Sequence, residues 1–321
     1  MRAYSFDPSV QALCYTKSKV KIIKRKLAWI DVLNPTKKDL EFIRRQHRFH
    51  PIILDELLHV SARARVEPYH DYLFLTYHLP IYDKAIKNSR RAEIDFLITK
   101  NKVITVHYED LEPLNTFWRK LSNDERFKKR VLDENTGRIV YHVIQEILEF
   151  SQRQIRHIED TASYLSGELF KKHEAQLLQK ISWAKRDILD YNIISKPQSI
   201  ILESLKEVGE RFWGASMKIY LSDLVGDHLK IMQRLDNFKE TVEALEQTNA
   251  QLLNAKTNSV MQRFTVLAFL TFPLILIISL FNVVSIDRLI GSNPVIFAVS
   301  FFAILIITLL LLLLFRKKEW L

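Results

Sequence analysis

Cysteine and glycine are both scarce in this chain of 321 residues, which has one cysteine, Cys14, and six glycines. A single cysteine excludes an internal disulfide framework and suits a reducing compartment. No nucleophile signature surrounds Cys14, so we do not expect a catalytic thiol. Few glycines interrupt the second half of the chain, and long helices are therefore expected there.

Sequence patterns that would indicate an enzyme are also missing. We find no phosphate-binding loop, no nucleophile elbow and no metal-binding catalytic motif, so we expect neither an enzyme nor a bound cofactor. Residues 1–20 mix polar and charged side chains and lack the apolar core of a signal peptide. The N-terminal region is therefore expected to remain in the cytoplasm.

Charged side chains are absent from two C-terminal stretches, residues 264–286 and 289–315. A membrane-spanning helix needs about 20 apolar residues, because each residue adds about 1.5 Å to the crossing of a core about 30 Å thick. We therefore predict transmembrane helices over residues 264–281 and 294–315, joined by an external loop over residues 282–293. The chain is expected to be a multi-pass membrane protein.

Polar residues distinguish the first predicted span from the second. The first contains Thr265, Thr271, Pro273 and Ser279, which suit a helix that lines a cavity or faces protein. Simple packing of these residues between helices is the alternative. The second span is almost entirely apolar, so we expect it to face lipid while the first faces inward.

The net charge of +10 is distributed in a way that favours a membrane over nucleic acid as the partner. Arg263 precedes the first span, and residues 316–321 form a basic tail after the second. Between the spans, Asp287 and Arg288 cancel. The positive-inside rule then places both termini in the cytoplasm, as expected of a plasma-membrane protein. Basic clusters elsewhere are expected to be solvated surface, and no nucleic-acid partner is predicted.

Residues 1–110 have the mixed pattern of a cytosolic α/β domain. Residues 27–33 form an apolar run typical of a strand, and the turn at Pro35 leads into a helix. Residues 93–99 and 103–108 flank a short polar turn and predict a β-hairpin. We expect a sheet that is covered by helices.

Residues 111–215 have the pattern of a helical region. Long helices are predicted over residues 139–170 and 173–195, joined by a short bend. Pro197 is expected to end the second helix, because proline cannot donate the backbone hydrogen bond that a helix interior requires. A further helix is predicted over residues 198–210.

Residues 216–263 are predicted to form a stalk helix that continues into the first span, because no breaker separates Met217 from Phe264. Such a helix would extend for about 90 Å at 1.5 Å per residue. Its apolar positions recur in steps of three and four, which indicates a heptad seam between subunits or packing inside the core of one subunit. The seam positions are Leu221, Leu224, His228, Ile231, Leu235, Phe238, Val242, Leu245, Asn249 and Leu252.

Several segments together resemble the CorA-type family of divalent-cation channels. Residues 315–321, FRKKEWL, resemble the family's basic ending, and residues 258–265, followed by Pro273, are similar to its entry into the first span. Residues 29–36, WIDVLNPT, are similar to its first strand and turn. Further similar segments follow in the family's order at His50-Pro51, residues 63–67, 72–74 and 104–107, and Asp227-His228.

The resemblance implies a CorA-like funnel, a homopentamer whose first spans surround a pore and continue as stalk helices into the cytosolic domain. The second spans would form an outer ring. Magnesium dehydrates reluctantly and prefers oxygen ligands, so the amides of Asn258 and Asn282 are candidates to contact a hydrated cation. A helix C-cap is the alternative role of Asn282. The full set of candidate pore residues is Asn258, Met261, Phe272, Ile275, Ser279 and Asn282.

This chain departs from the family at the external end of the first span. The family carries Gly-Met-Asn there, whereas this chain has Asn-Val-Val at positions 282–284 when the two are aligned without a gap. If the span is shortened by two residues, Leu-Phe-Asn at positions 280–282 is aligned instead and the asparagine is kept, but neither segment is the motif. The pore wall is also drier than the family pattern implies, because Phe272 and Ile275 are apolar. A hydrophobic constriction can gate by dewetting, but it does not select an ion.

Family members sense intracellular magnesium through carboxylates at subunit interfaces, and the resemblance implies such a metal site here. Asp55 and Glu56 match its acidic pair, and Asp223 or Asp227 on the stalk would be the partner. Like carboxylates that are brought together repel unless a cation neutralises them. A solvated helix face is the alternative explanation for these carboxylates.

The expected function is passive transport of a divalent cation, with magnesium as the transported and regulatory ion, gated by cation binding in the cytosol. One alternative is a non-conducting scaffold or regulatory homologue that keeps the pentamer. Another is a transporter of a different divalent ion such as zinc or cobalt. The expected partners are further copies of the chain, membrane lipid and divalent cations.

Overall fold

The computed structural model describes residues 10–15, 18–171, 174–283 and 294–317. They belong to two compact units, Met1–Glu246 and Gln247–Leu321. The first unit contains a seven-stranded sheet and the helices that cover it. The division between the units falls inside one long helix, which therefore belongs to both.

The sheet has the strand order β1-β2-β3-β7-β6-β5-β4; β3 and β7 pair parallel, and the other neighbours pair antiparallel. The strand predicted over residues 27–33 and the hairpin predicted over residues 93–108 are confirmed, as β3 and as β6 with β7. The strands are β1 (Val10–Tyr15), β2 (Ser18–Lys24), β3 (Ala28–Leu33), β4 (Arg65–Pro68), β5 (Tyr72–Asp83), β6 (Asn88–Thr99) and β7 (Lys102–His107).

Long helices dominate the chain after the sheet, as the scarcity of glycine predicts. A 3₁₀ turn at Ala215–Met217 precedes α7. The helices are α1 (Lys37–Gln46), α2 (Pro51–Glu56), α3 (Glu112–Asn123), α4 (Glu125–Leu132), α5 (Thr136–Glu168), α6 (Glu174–Trp213), α7 (Lys218–Val283) and α8 (Pro294–Lys317).

The predicted helix break at Pro197 is wrong, because α6 continues through this residue. Buried residues lie on both sides of the proline, so packing holds the helix in place despite the missing N–H. The side chain of Gln198 adds local support. Its amide donates to the carbonyl of Ile194 at 3.3 Å, and its oxygen accepts from the N–H of His78 on β5, also at 3.3 Å.

Alternation along the strands gives the sheet two buried faces. On one face, Ile30, Phe74 and Ile104 belong to a core that includes residues of α1 and α2. On the other face, the ring of Trp29 lies 4.7 Å from the ring of Phe117 on α3. Helices α5 and α6 also contact the sheet, which confirms the prediction of a sheet covered by helices.

A buried charged pair joins β3 to β7 in the middle of the sheet. His107 Nε2 lies 3.3 Å from Asp31 Oδ1, and the hydroxyl of Thr105 donates to the same oxygen at 2.6 Å. Burial disfavours both charges, but the attraction between Asp31 and His107 outweighs the cost of burial. The pKa of His107 is therefore raised and that of Asp31 is lowered.

We predict that Asp31→Asn lowers the free energy of unfolding by about 3 kcal/mol near neutral pH, because it leaves a buried imidazolium without its partner. The pair stabilises the fold above the lowered pKa of Asp31. Its contribution is lost again as pH rises through the raised pKa of His107. The deficit should therefore shrink at alkaline pH, as measured by thermal unfolding across pH. Asp160→Asn, at an exposed position on α5, is the control. A deficit that does not change with pH would contradict this account.

The heptad seam of α7 packs within its own subunit at most of its positions. Leu235 and Val242 are 0% and 1% exposed in the single chain. Ion pairs flank the seam, with Arg234 Nη2 lying 3.0 Å from Glu159 Oε2 of α5. The prediction that the seam holds subunits together is therefore wrong for the buried positions, because the same chain already covers them. These positions are Leu221, Leu224, His228, Ile231, Leu235, Val242, Leu245 and Asn249.

The stalk and the predicted first span form one continuous helix, as expected. Helix α7 has 66 residues and ends at Val283, and Pro273 lies inside it. Among the described residues, one helix is long and apolar enough to cross a membrane, and it covers Ala215–Leu276. In α8, the apolar stretch Phe301–Leu310 is shorter. The second transmembrane span stays a prediction.

We predict that Leu235→Ala lowers the free energy of unfolding by about 3 kcal/mol, because it removes a fully buried side chain and leaves a cavity. Leu229→Ala on the same helix is the matched control, since Leu229 is 50% exposed in the single chain. Denaturant unfolding of the purified protein measures both effects. Equal destabilisation by the two substitutions would show that the seam is not the internal contact described here.

Candidate functional site

The C-terminal part of α7 has one side that is less exposed than the others. Val266 is 2% exposed, whereas Gln262, Leu270 and Pro273 are partly buried. Their spacing of four, four and three residues places them on one stripe of the helix. This stripe is therefore the side of α7 that packs within the chain.

Most of the predicted pore residues lie on the other side of α7. At about 100° per residue, Asn258 lies only about 80° from Val266, next to the stripe, whereas Met261 and Phe272 lie about 140° and about 120° from it. Ile275 and Ser279 follow on the same side. All five side chains are exposed in the single chain, and Phe272 is 72% exposed. Asn282 belongs to the last turn of α7, but its side chain lies outside the described part of the structure.

An apolar groove of about 550 Å³ lies beside Pro273. It is lined by Ala268, Phe269, Phe272 and Leu276 as well as the proline, so it presents no side-chain oxygen to a cation. Hard divalent cations require oxygen ligands. The part of α7 around Pro273 is therefore hydrophobic, and any side-chain ligands for a cation must come from positions outside this groove.

The first pair of predicted carboxylates lies at the end of α2. Asp55 is exposed, whereas Glu56 forms an ion pair with Arg65 of β4. Arg65 also contacts Glu67 through Nε at 2.9 Å. Burial disfavours the arginine charge, but Glu56 outweighs it, so the pKa of Arg65 is raised. Asp55 is thus the carboxylate of this pair that is more accessible to a cation.

A surface depression of about 600 Å³ adjoins these residues. It combines the two carboxylates with His59 and the basic side chains of Arg63 and Arg65. The mixture of signs limits its attraction for a cation within one chain. The sequence prediction missed Arg65 as the partner of Glu56. The alternation of Arg65 and Glu67 on a short strand indicates a pair between those two residues, but it does not indicate the contact with Glu56.

The second pair of predicted carboxylates lies on the first turns of α7. Tyr141 of α5 donates its hydroxyl hydrogen to Asp223 Oδ2 at 2.8 Å, and Lys230 lies 2.9 Å from Asp227. Burial and the charge of Asp223 raise the pKa of Tyr141, so it remains a donor. The contact with Tyr141 joins residues 82 positions apart, and no local sequence pattern could indicate it.

Within the described residues of one chain, no group of three or more His, Cys, Asp or Glu side chains is arranged to hold a metal ion. The structure therefore does not combine Asp55 and Glu56 with Asp223 and Asp227 into a metal site inside one subunit. The predicted site lies between subunits, and it stays a prediction.

Comparison with known families decides what kind of protein carries this helix. The profile of the family described as CorA-like Mg2+ transporter protein matches residues 24–317. The chain belongs to this family. The resemblance stated from the sequence motifs is therefore confirmed, and it covers both the sheet and the C-terminal helices of this CorA-family protein.

Relatives and solved structures agree with the assignment. The cobalt/magnesium transport protein CorA of Thermotoga maritima is 22% identical over 301 residues, covering 91% of this chain and 83% of the relative. The protein of the same name from Methanocaldococcus jannaschii is 19% identical, with 92% of each chain covered. The complete structure of the CorA magnesium transporter from M. jannaschii superposes with a TM-score of 0.79 at 18% identity, covering 96% of this chain and 100% of that one.

A more distant structure shares the fold. The full-length CmaX protein superposes with a TM-score of 0.67 at 12% identity, covering 99% of this chain and 100% of that one. The CorA relatives are named as ion transporters, which fits the expectation that the chain is not an enzyme. The shared fold therefore extends through the sheet, the long helices and α7.

We predict that about 10 mM magnesium raises the melting temperature of the purified protein by a few degrees, because a cation that binds only the folded assembly stabilises it. The double variant Asp55→Ala/Glu56→Ala should lose most of this rise. Asp236→Ala/Glu240→Ala, which removes two exposed carboxylates from α7, is the charge-matched control. An unchanged rise in the first variant would assign Asp55 and Glu56 to ordinary solvated surface.

Proposed function

We propose that this CorA-family protein is a passive divalent-cation channel, with magnesium as its principal ion. Five copies would surround a pore lined by α7, and α8 would form the outer ring of second spans. Both termini would lie in the cytoplasm. At 24 residues, α8 has a length of about 36 Å, which exceeds the thickness of a membrane core.

This proposal rests on the difference in exposure between two sides of α7. One stripe of the helix, around Val266, is covered within the chain, whereas the opposite side presents Met261, Phe272 and Ile275. A helix that packs on one side and leaves the other open can line a pore when symmetric copies surround an axis. Family membership supplies the transport activity that such a pore would serve.

The chemistry of the pore side divides into two parts. Asn258 and Asn282 would contact the water shell of the cation near the two ends of the first span, because magnesium keeps several of its waters. Phe272 and Ile275 would form a dry constriction between them, which opens when it is hydrated. Selection and gating would therefore use different residues of the same helix.

Regulation by the transported ion would use the carboxylates of the first unit. Asp55 and Glu56 of one subunit would approach Asp223 or Asp227 of its neighbour, and magnesium would relieve their repulsion. Arg65 and Tyr141 would orient Glu56 and Asp223, because each contacts one of these carboxylates. Loss of the ion would then separate the subunits locally and favour opening.

A non-conducting homologue is the second candidate function. It is favoured by one observation, the segment Asn-Val-Val at positions 282–284 where the family resemblance implies Gly-Met-Asn. Such a protein would keep the assembly and the cytosolic carboxylates without passing ions. Its role would be structural or regulatory.

We predict magnesium flux through the purified protein in liposomes loaded with a fluorescent indicator. Asn282→Ala should reduce this flux by about fivefold while leaving assembly intact, because a lost hydrogen bond to the hydrated ion is worth about 1 kcal/mol. Asn237→Ala, at an exposed amide of α7 far from the apolar segment, is the matched control. Parallel measurements with cobalt and zinc would establish which ion passes fastest.

Two outcomes would revise the proposal in different ways. Undiminished flux in Asn282→Ala would place the filter elsewhere while leaving the channel function in place. Absence of flux of all three ions in the parent protein would favour the non-conducting homologue.

A further inference from the structure

Two acidic side chains are buried next to each other on β6. Glu93 and Asp95 are 3% and 1% exposed, and their separation by two residues places them on the same face of the strand. Their partners across the ladder on β5 are His78 and Thr76. Neither carboxyl group is part of the proposed transport site.

Hydrogen bonds from several elements converge on this pair. Glu93 Oε1 accepts the backbone N–H of Ser61 at 2.8 Å, and Glu93 Oε2 lies 3.0 Å from His78 Nε2. Asp95 Oδ1 accepts the hydroxyl of Thr76 at 2.7 Å. The other oxygen of Asp95, Oδ2, lies 2.9 Å from the hydroxyl oxygen of Tyr108.

The hydroxyl of Tyr108 has two acceptors but only one hydrogen. Its oxygen lies 2.9 Å from Asp95 Oδ2 and 3.0 Å from the backbone carbonyl oxygen of His59. If Asp95 is ionised, the charged oxygen is the stronger acceptor, and the carbonyl of His59 loses its donor. If Asp95 carries a proton on Oδ2, it donates to Tyr108, which is then free to donate to His59.

We propose that Asp95 is a proton-binding group that controls the attachment of the loop of residues 57–64 through Tyr108. In the protonated state, a chain of two hydrogen bonds runs from Asp95 through Tyr108 to the loop. In the ionised state, Tyr108 donates its hydrogen to Asp95 instead, and the hydrogen bond to His59 is lost. The loop is therefore held more firmly at lower pH.

The charges around Asp95 favour a proton there near neutral pH. Burial and the neighbouring charge of Glu93 raise the pKa of Asp95 to about 7. Burial and the same carboxyl groups raise the pKa of Tyr108, so the tyrosine keeps its hydrogen. His78 contacts Glu93 from β5. Glu56 of α2 also acts on Tyr108, and it is paired with Arg65 of β4. The loop contributes the carbonyl of the titratable residue His59, and Arg91 of β6 itself contacts the loop at Ala62.

The loop forms one wall of the depression at the end of α2, so a change in its attachment affects that depression. Residues 59–63 of the loop line the depression that also contains Asp55 and Glu56. Two other attachments of the loop do not involve Asp95. The N–H of Ser61 donates to Glu93 Oε1 at 2.8 Å, and Nη1 of Arg91 donates to the carbonyl of Ala62 at 3.2 Å. Proton binding by Asp95 therefore changes how firmly one wall of this depression is held. The proposal concerns the loop itself and does not depend on whether the protein transports ions.

Hydrogen–deuterium exchange of the full-length protein in detergent tests the proposal. Exchange of peptides covering residues 57–64 is measured at about pH 6 and about pH 8 and corrected for the intrinsic pH dependence of the chemistry. The loop of the parent protein should exchange about two- to tenfold faster at the higher pH, as expected for loss of one hydrogen bond. Equal corrected rates at the two pH values would overturn the proposal.

Two variants assign the effect to the hydrogen-bond chain. Tyr108→Phe should show the faster exchange at both pH values, because it cannot reach His59. Asp95→Asn should show the slower exchange at both, because its amide donates to Tyr108 as the protonated acid does. Tyr77→Phe, which removes a hydroxyl from the opposite face of β5, should keep the pH dependence of the parent.

The opposite results are equally informative. A parent-like pH dependence in Tyr108→Phe would overturn the role of the hydroxyl. A parent-like pH dependence in Asp95→Asn would overturn the assignment to Asp95 and would implicate His59 or His78 instead.

Discussion

Inside the hydrocarbon core of a bilayer, a backbone N–H or C=O that lacks a protein partner costs several kcal/mol, and α7 meets this constraint by remaining helical from Lys218 to Val283. The same helix is anchored by its own subunit through buried seam residues such as Leu235. The part that packs in the first unit and the part that is apolar enough to enter a membrane therefore belong to one continuous helix. The proposed pore depends on this continuity more than on any single side chain.

Polar groups that are compensated within one chain surround the end of α2. Arg65 neutralises Glu56, and Ser61 and His78 contact the buried Glu93. Asp55 remains exposed at the same place. A divalent cation would act on the outer carboxylates and a proton on the inner pair, so two ionic signals would converge on one loop. Because these charges are compensated within the chain, the carboxylates do not need a bound cation to offset their repulsion.

Local signals predicted much of the fold, whereas contacts between distant segments were not predictable. The apolar run at residues 27–33 and the hairpin across Lys100 depend on short-range patterns, and both are present. Pro197 failed as a helix breaker because burial on both sides of α6 outweighed a local rule. The α7 seam has the same periodicity whether a neighbouring subunit or its own chain covers it. The family resemblance supplied the pore candidates, and helical spacing places Met261, Phe272 and Ile275 on one side of α7. The contact of Asp223 with Tyr141 has no sequence signal.

The central claim is that the side of α7 opposite Val266 faces the axis of a symmetric assembly. Disulfide cross-linking in membranes tests it directly in a Cys14→Ser background, because a disulfide requires two Cα atoms within about 7 Å. Single cysteines introduced as Phe272→Cys and Ile275→Cys should form cross-links between subunits on mild oxidation, whereas Val266→Cys and Leu270→Cys should not. Cross-links confined to positions 266 and 270 would show that the side of α7 that carries Val266 faces the axis and would contradict the account.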